Sequence, residues 1–460
     1  MINLTVGEIA AIVSGEVHAA PVDQAVLSVA VDSREVLAGA MYVAINGERV
    51  DGHDFAAAAV EAGAVVVLSE HELATPCIVV DNSVVALGLL AQHVRGQLTD
   101  CTVVAITASS GKTSTKDLLA FVLGGLGSTI APVGSFNTEV GVPLTILRAD
   151  ESTRFLILEM GMRGAGHIDL LCSIAAPEIG VLLNVGSAHL GLLGNRSEVA
   201  NAKGELIASL PSNGIAILNG DDELVRAQAR RTSARVVLFG MSEGCDVRAS
   251  AVELDHDARA SFILELPEAQ ARVALQVHGE HFVANALAVA AVAHELGMSI
   301  DQIADRLSAA VIGSRWRMAV SVSADKVTIV NDAYNANPES MAAALRTLAA
   351  MGAGRRTWAV LGEMLELGDA SADEHRALGR LAAQAQIDRL VCVGPATMVT
   401  HDEARSQESW LGQADWVPDR DSAIALLKAE IKPTDIVLIK ASRGIGLERV
   451  ATALGEREPQ

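Results

Sequence analysis

From Cys101 to Phe239 the sequence repeats one pattern: a short apolar run, a polar or glycine-containing loop, and then a helical segment. The apolar runs are Val103–Ile106, Phe155–Leu158, Val181–Leu183, Ile215–Leu218 and Val236–Phe239. Buried parallel strands read as continuous apolar runs, and parallel neighbours need a long crossover connection, usually a helix. The pattern therefore predicts a mostly parallel sheet with helices on both faces.

Different patterns flank this region. Residues 1 to about 98 alternate short strands with alanine-rich helices, whereas Val247 to His278 alternates apolar and polar residues as antiparallel strands do. Beyond a break near Gly313–Ser314, further apolar runs are separated by helical segments: Val327–Val330, Trp358–Leu361, Leu390–Val393 and Ile436–Ile439. We predict an α/β fold of three domains: a small α/β N-terminal module (1–98), a central P-loop-type, mostly parallel sheet domain (99–313) and a C-terminal Rossmann-like domain (314–460).

Composition limits the partners. The chain has 35 Lys+Arg against 56 Asp+Glu, a net charge of −21, which argues against binding nucleic acid by broad electrostatic attraction. The five cysteines are scattered without Cys-x-x-Cys spacing, so neither a disulfide framework nor a zinc site is indicated. The longest uncharged stretches are broken by glycine and polar residues, unlike a membrane span. We expect a cytoplasmic protein that is not an integral membrane protein.

The most specific local signal is the loop Thr107–Ser114, which reads Thr-Ala-Ser-Ser-Gly-Lys-Thr-Ser between an apolar strand and a helical run. Such a loop directs backbone N–H groups at phosphate oxygens, Lys112 adds a cation, and the Thr113 hydroxyl can bind Mg²⁺. The full Gly-x-x-x-x-Gly-Lys pattern fails because Ile106 stands where the first glycine would be. The strand–loop–helix context nevertheless favours phosphate binding over a chance Gly-Lys-Thr.

Two further polar residues follow apolar strands. Glu159 comes directly after Phe155–Leu158, and His189 follows the run at Val181–Leu183. Ligands of open parallel sheets bind at this rim, and a carboxylate there suits Mg²⁺. Alternatively, Glu159 caps the following turn, and His189 is a hydrogen-bonded structural residue, since histidine is an unusual Mg²⁺ ligand.

Three polar clusters are dense for so apolar a chain: Phe136–Glu139, Ser314–Met318 and Asn331–Pro338. Asn335 and Asn337 fit ligand contact and plain turn chemistry about equally, with a helix beginning at Pro338. Arg315 and Arg317 fit either a solvated linker or a hinge that closes over a triphosphate.

With these residues assembled, the chain resembles the Mur ligases of peptidoglycan synthesis over nearly its whole length. The tracts that carry the resemblance are Asp32–Arg34, Gly47–His53, Thr107–Ser114, Phe136–Pro143, Leu158–Gly161, Ala188–Leu190, Ala202–Glu205, Asp332–Pro338 and Leu361–Gly368. The last two are most similar to the family member that joins D-alanyl-D-alanine to UDP-N-acetylmuramoyl-tripeptide. Ala108, Thr138, Phe282 and Ser314 depart from the family's usual glycine, asparagine, asparagine and glycine.

The resemblance implies a task for each domain: binding the UDP-substrate, binding ATP, and closing over ATP while helping to admit the dipeptide. It implies substrate contacts at Ser33, Arg34, Asn137 and Thr138, with Asn137 near the reacting carboxylate. It implies nucleotide contacts at Ser109, Ser110, Gly111, Lys112, Thr113, Ser114, Asn285, Arg315, Asp332, Tyr334 and Asn335. Thr113 and Glu159 would hold one Mg²⁺, and His189 and a carbamylated Lys203 a second. The implied catalytic residues are Lys112, Lys203, His189 and Asn137. We expect a monomer.

The implied chemistry is amide formation from a carboxylate. A carboxylate is a poor electrophile, so ATP must first convert it into an acyl phosphate, from which an amine then displaces phosphate. Two alternatives remain open at this stage: a P-loop regulatory or transport ATPase that ligates nothing, and a sister ligase that uses a different amino acid.

Overall fold

The computed structural model describes residues 1–47, 50–187, 191 and 194–455. Its three larger sheets lie within residues 16–79, 102–278 and 319–440. Each sheet falls inside one of the three predicted segments, and the α/β fold class is confirmed. The boundaries at 98 and 313 themselves stay predictions.

The N-terminal part holds a mixed sheet in the order β2-β7-β6-β5-β4, antiparallel only between β2 and β7, and a short β1–β3 pair. Its elements are β1 (Leu4–Thr5), α1 (Val6–Val13), β2 (Glu16–His18), β3 (Ala25–Val26), β4 (Ser28–Ala30), β5 (Ala40–Val43), α2 (Ala56–Glu61), β6 (Val66–Ser69), β7 (Cys77–Val79) and α3 (Ser83–Gln97). Helix α3 contacts the central part of the chain: the Arg95 guanidinium donates to the Ala175 carbonyl at 3.0 Å.

The central part holds a nine-stranded sheet in the order β16-β15-β14-β13-β12-β11-β8-β10-β9. Its elements are β8 (Thr102–Thr107), α4 (Lys112–Leu123), β9 (Thr129–Ile130), α5 (Gly141–Ile146), β10 (Phe155–Glu159), α6 (His167–Ala175), β11 (Ile179–Leu182), α7 (Arg196–Lys203), α8 (Glu205–Ala208), β12 (Ile215–Asn219), α9 (Glu223–Arg226), β13 (Arg235–Gly240), β14 (Val247–Leu254), β15 (Arg259–Leu266), β16 (Ala269–His278), α10 (Phe282–Glu295) and α11 (Ile300–Ala309). Strands β8 to β14 pair in parallel, and β14 to β16 pair antiparallel as the alternating sequence predicts.

The C-terminal part holds a sheet in the order β17-β18-β22-β19-β20-β21, parallel except for the β17–β18 pair. Its elements are β17 (Ala319–Val322), β18 (Thr328–Asn331), α12 (Pro338–Met351), β19 (Thr357–Leu361), α13 (Ser371–Gln384), β20 (Arg389–Val393), α14 (Met398–Ser406), β21 (Gln413–Val417), α15 (Arg420–Glu430), β22 (Ile436–Lys440) and α16 (Glu448–Ala453). Helix α12 begins at Pro338 as predicted, with Asn337 as its N-cap.

Two hydrophobic core clusters join these parts. One contains Leu87 of α3 and Leu171 of α6, and the other contains Phe282 of α10 and Leu345 of α12. Among the helices of the described ranges, none is both long and apolar enough to cross a membrane.

Candidate active site

The predicted phosphate-binding loop, Thr107–Ser114, is called the phosphate loop below. It joins β8 to α4 at the carboxyl end of the central sheet, beside the ends of β10 and β11. Asn184, just after β11, fixes it: its side-chain oxygen accepts from the Ser110 N–H, and its amide donates to the Ser110 carbonyl, both at 3.0 Å. Gly111 has φ +85°, and a Cβ there would lie 2.9 Å from the Asn285 side-chain oxygen. Only glycine lets Asn285 of α10 approach the loop so closely.

Two lysines converge on one backbone oxygen of this loop. The Lys112 ammonium donates to the Ala108 carbonyl at 2.6 Å, and the Lys203 ammonium donates to the same oxygen at 3.1 Å. Burial lowers the pKa of Lys112, although Glu159 opposes this shift. Burial, together with the charge of Lys112, holds the pKa of Lys203 well below its ordinary value. No described carboxylate lies within ion-pair distance of Lys203.

Glu159 connects the loop to the Phe136–Glu139 cluster. It is 1% exposed, and its carboxylate accepts from the Thr113 hydroxyl at 2.9 Å and from the Asn137 amide at 2.8 Å. A buried carboxylate beside a hydroxyl is a set of hard oxygen donors, which is the kind that Mg²⁺ prefers. The chemistry of Thr113 and Glu159 therefore fits the predicted metal, and these contacts replace the alternative that Glu159 merely caps a turn.

The C-terminal part reaches the same loop. The Asn337 amide donates to the Ser109 carbonyl at 3.2 Å, and the Arg317 guanidinium donates to the Thr113 hydroxyl at 3.0 Å while stacking on Tyr334. Asn337 thus serves both as a helix cap and as a contact to the phosphate loop. The turn and helix-start interpretation of this residue is confirmed, and its contact with a ligand stays a prediction.

Asp332 is held by a buried lysine at the end of β22. The Lys440 ammonium donates to the Asp332 carboxylate at 2.6 Å and to the Asn335 carbonyl at 2.8 Å. Burial lowers the pKa of Lys440, and Asp332 opposes the shift. The pair fixes the Asn331–Pro338 loop against the sheet.

Two cavities meet at the phosphate loop. The first, about 370 Å³, lies between the central and C-terminal parts and is lined by residues that include Ser110, Gly111, Asn285, Asp332 and Lys440. The second, about 340 Å³, is lined by residues that include Lys112, Asn137, Thr138, Arg163 and Arg443. Ser109, Asn335 and Asn337 line both cavities. A ligand in one cavity is therefore separated from a ligand in the other by Ser109 of this loop and by the segment 335–337 of the C-terminal part.

Several predicted residues lie elsewhere. Ser33 and Arg34 form part of a 3-10 turn in the N-terminal part, where Arg34 pairs with Asp32 at 2.6 Å, and they line neither cavity. Arg315 is exposed and lines neither cavity; the arginine at the loop is Arg317. His189 lies outside the described residues. The roles predicted for these residues stay predictions.

Two residues at the site were not predicted from the sequence. Lys440 follows an apolar strand just as Glu159 does, so the rule that ligands bind at strand ends could have identified it. Glu339 accepts from the Ser187 N–H and hydroxyl at 2.7 and 2.8 Å, and this contact between residues far apart in sequence left no local signal.

The predicted hinge is tied to helix α4. The Ser314 N–H donates to the Asp117 carboxylate at 2.8 Å, and the Lys116 ammonium, paired with Asp117, donates to the Ser314 hydroxyl at 3.4 Å. Ser314, which stands where the family has glycine, thus takes part in fixing the junction.

We expect the C-terminal part to swing about this junction. Because Asn337 and Arg317 contact the phosphate loop directly, ligands there should favour the arrangement seen here. Small-angle scattering should show a smaller radius of gyration when an ATP analogue and the UDP-substrate are added together. An unchanged radius would contradict the hinge.

Known proteins resemble this chain throughout. Family profiles match at residues 26–91 (Mur ligase family, catalytic domain), 106–293 (Mur ligase middle domain) and 316–443 (Mur ligase, glutamate ligase domain). The UDP-N-acetylmuramoyl-tripeptide–D-alanyl-D-alanine ligase of Mycobacterium tuberculosis H37Rv is 46% identical over 99% of this chain and 98% of its own. The chain belongs to the Mur ligase family.

This Mur ligase is also 35% identical to the ligase of the same name from Escherichia coli K12, over 99% of both chains. Among solved structures it is similar to a MurF from Acinetobacter baumannii (TM-score 0.88, 31% identity, 98% of both chains covered). It is also similar to the Thermotoga maritima MurF in complex with ADP (TM-score 0.80, 31% identity, 93% of this chain and 96% of that chain). These matches confirm the Mur ligase assignment and the three-part architecture.

Proposed function

We propose that the chain is an ATP-dependent, ADP-forming amide ligase that joins D-alanyl-D-alanine to the terminal carboxylate of UDP-N-acetylmuramoyl-tripeptide. The product is the UDP-linked pentapeptide used in peptidoglycan synthesis. The observation that carries the proposal is the meeting of the two cavities at the phosphate loop, with Lys112 lining the second cavity. Relatives with this named activity, similar over the full chain, support it.

The first step is phosphoryl transfer. A carboxylate oxygen of the tripeptide attacks the γ-phosphorus of ATP, the bond to the β-phosphate oxygen breaks, and ADP leaves. The loop N–H groups and Lys112 hold the phosphates, and Asn137 orients the tripeptide carboxylate. The nucleotide occupies the first cavity, which is lined by Ser109–Gly111, Ser114, Asn285, Asp332 and Asn335. Lys112 and Thr113 would contact it from the same loop, and the contacts assigned to Tyr334 and Arg315, which do not line this cavity, rest on the family resemblance.

The second step forms the amide. The neutral amine of the dipeptide attacks the acyl carbon, a C–N bond forms, the C–O bond to phosphate breaks, and the amine proton is released. Backbone donors and Lys112 stabilise the oxyanion of the tetrahedral intermediate. Packing of the C-terminal part over the loop excludes water, which would otherwise hydrolyse the acyl phosphate.

Two Mg²⁺ sites belong to the proposal. Thr113 and Glu159 would hold one ion, and His189 with a carbamate on Lys203 would hold the other. When bound, Mg²⁺ neutralises phosphate charge. The carbamate forms when the neutral Lys203 amine attacks the carbon of CO₂ and releases a proton. Supporting this, Lys203 is 1% exposed and has no described carboxylate partner.

The remaining assignments rest on the sequence. Ser33 and Arg34 would contact the uridine nucleotide in the N-terminal domain, and Thr138 the tripeptide beside Asn137. A monomer, a cytoplasmic location and the domain boundaries stay predictions.

The proposal is tested by measuring ADP release. We expect release to require both the UDP-tripeptide and D-alanyl-D-alanine, and to match amide formation one to one. Release without either substrate would favour a regulatory or transport ATPase. Release with the UDP-tripeptide and a different amino acid, but not with D-alanyl-D-alanine, would favour a sister ligase.

A further inference from the structure

Three loops leave the N-terminal sheet at the same edge. Strands β4, β5 and β6 are parallel, so their carboxyl ends lie side by side. The loops that follow these strands begin at Val31, Ala44 and Glu70. Ligands of open parallel sheets bind at this edge. Ser33 and Arg34, to which the uridine contacts are assigned, belong to the first of these loops, so the other two loops border the same place.

His53 connects the loop after β5 to the loop after β6. Its side chain is 6% exposed. Its Nε2 accepts from the Glu70 backbone N–H at 3.1 Å, its Nδ1 lies 2.6 Å from the Asp51 carboxylate, and its ring stacks on His71 with the centroids 4.6 Å apart. A ring nitrogen that accepts from an N–H carries no proton, so the proton is on Nδ1, which donates to Asp51. His53 is therefore neutral and is bonded to both loops.

The loop after β5 is otherwise bonded to itself and to the sheet. Within its described residues, 44–47 and 50–53, the Gly52 N–H donates to the Ile45 carbonyl, and the Tyr42 hydroxyl donates to the Gly52 carbonyl, both at 2.9 Å. A Cβ at Gly52 would lie 2.6 Å from the Ile45 backbone, so the two arms of the loop touch. Among the described residues, no other hydrogen bond joins it to the loop after β6. The bond at the histidine ring therefore fixes how these two loops lie relative to each other.

The loop after β4 lies close to the same group of side chains. Burial raises the pKa of the Tyr42 phenol, and the charges of Asp32 and Asp51 add to the shift, so both carboxylates lie near this ring. Asp32 also holds Arg34, because its two oxygens accept from the guanidinium at 2.9 and 2.6 Å. A shift of the loop that carries Asp51 would thus change the surroundings of the predicted uridine contacts.

We propose that His53 is a positioning residue for the nucleotide end of the UDP-substrate. Through the bond from the Glu70 N–H to Nε2, it sets the relative position of two of the three loops between which the uridine diphosphate would bind. The proposal rests on the proposed function, which assigns the uridine end to this domain. Because the ring is buried, His53 acts through the loops and does not touch the ligand.

Two amide variants separate the two bonds of His53. A glutamine can place its side-chain oxygen near the position of Nε2 and accept from Glu70, whereas an asparagine can place its amide nitrogen near Nδ1 and donate to Asp51. We expect His53→Gln to keep the KM for UDP-tripeptide within about 3-fold of the wild-type value. His53→Asn and His53→Ala should raise it about 10-fold, since a buried N–H loses its acceptor. In all three variants, kcat and the KM for ATP should change by less than about 3-fold.

Inhibition by UDP locates the effect on the substrate. UDP lacks the sugar and the peptide, so its inhibition constant against UDP-tripeptide reports on the nucleotide end alone. We expect His53→Asn to raise this constant by the same factor as the KM. His93→Ala, at an exposed position of α3, is the matched control and should leave both values unchanged.

Thermal unfolding of each variant completes the test. If His53 has only a structural role, His53→Asn unfolds at a lower temperature but keeps the wild-type KM and UDP inhibition, which would overturn the proposal. A raised KM in His53→Gln with a normal KM in His53→Asn would also overturn it, as would a raised KM without weaker UDP inhibition, or a wild type that UDP does not inhibit. If His53→Ala does not fold, the two amide variants decide. A wild type that ligates no dipeptide would instead refute the proposed function.

Discussion

Replacing Lys112 by alanine should reduce ligation by at least about 1,000-fold while leaving the fold and binding of the UDP-substrate nearly intact. The ammonium lines the second cavity and donates to the Ala108 carbonyl, where it can follow the phosphate through transfer. The uridine end of the substrate is assigned to another domain. ADP-release kinetics, ATP binding and thermal unfolding should be measured on the same preparation.

Two variants control for this result. Lys112→Arg should also be poor, because a planar fork replaces a compact ammonium. Lys428→Ala, at an exposed position of α15, should behave as wild type. If Lys112→Ala melts like a core mutant and keeps its affinity for ATP, Lys112 is structural and the assignment is wrong.

Replacing Lys203 by alanine should abolish activity to a similar extent, and short carboxylic acids added to the buffer should restore part of it. The side chain ends α7 among buried apolar neighbours, including Val199 and Leu206, so its own helix offers no ion pair. Carbamylation would convert a buried cation beside Lys112 into an anion with hard oxygen atoms. A small carboxylic acid that enters the space left by the side chain would supply the same oxygens.

The modification has a direct readout. Enzyme prepared with ¹³C-labelled CO₂ should show a carbamate signal that Lys203→Ala lacks, and crystals should show a carboxylate group on Nζ. Unmodified density in a crystal with metal and nucleotide bound, combined with full activity of Lys203→Ala, would exclude the carbamate.

The sequence contained enough to predict the fold and part of the site. Apolar runs predicted most of the strands, because the period of a strand shows in a few adjacent residues. The rule that ligands bind at strand ends predicted that Glu159 lies near Thr113, and the two side chains are hydrogen-bonded. The edge strand β21 (Gln413–Val417) was missed, since a polar strand at a sheet edge has no apolar run. Which hinge arginine contacts the loop was not predictable, for a different reason. Whether Arg315 or Arg317 faces the loop depends on how the junction turns, and Trp316 there has φ +58°.

The other contacts that were not predicted join residues far apart in the sequence. Asn337 and Ser109 are brought together only by the docking of two parts of the chain, as are Glu339 and Ser187. The pattern around Asn337 predicted its capping role correctly, because a cap depends on the next few residues. Its second contact depends on a loop more than 200 residues away, which no local pattern encodes.

The bonds from Asn337 and Arg317 to the phosphate loop also have a thermodynamic consequence. If the binding-competent arrangement is only a fraction of the population, the measured dissociation constant for nucleotide equals the intrinsic one divided by that fraction. A compound wedged between Ser314 and Asp117 that holds the junction open would therefore weaken nucleotide affinity without occupying the nucleotide cavity. By reciprocity, saturating nucleotide would weaken binding of that compound by the same factor.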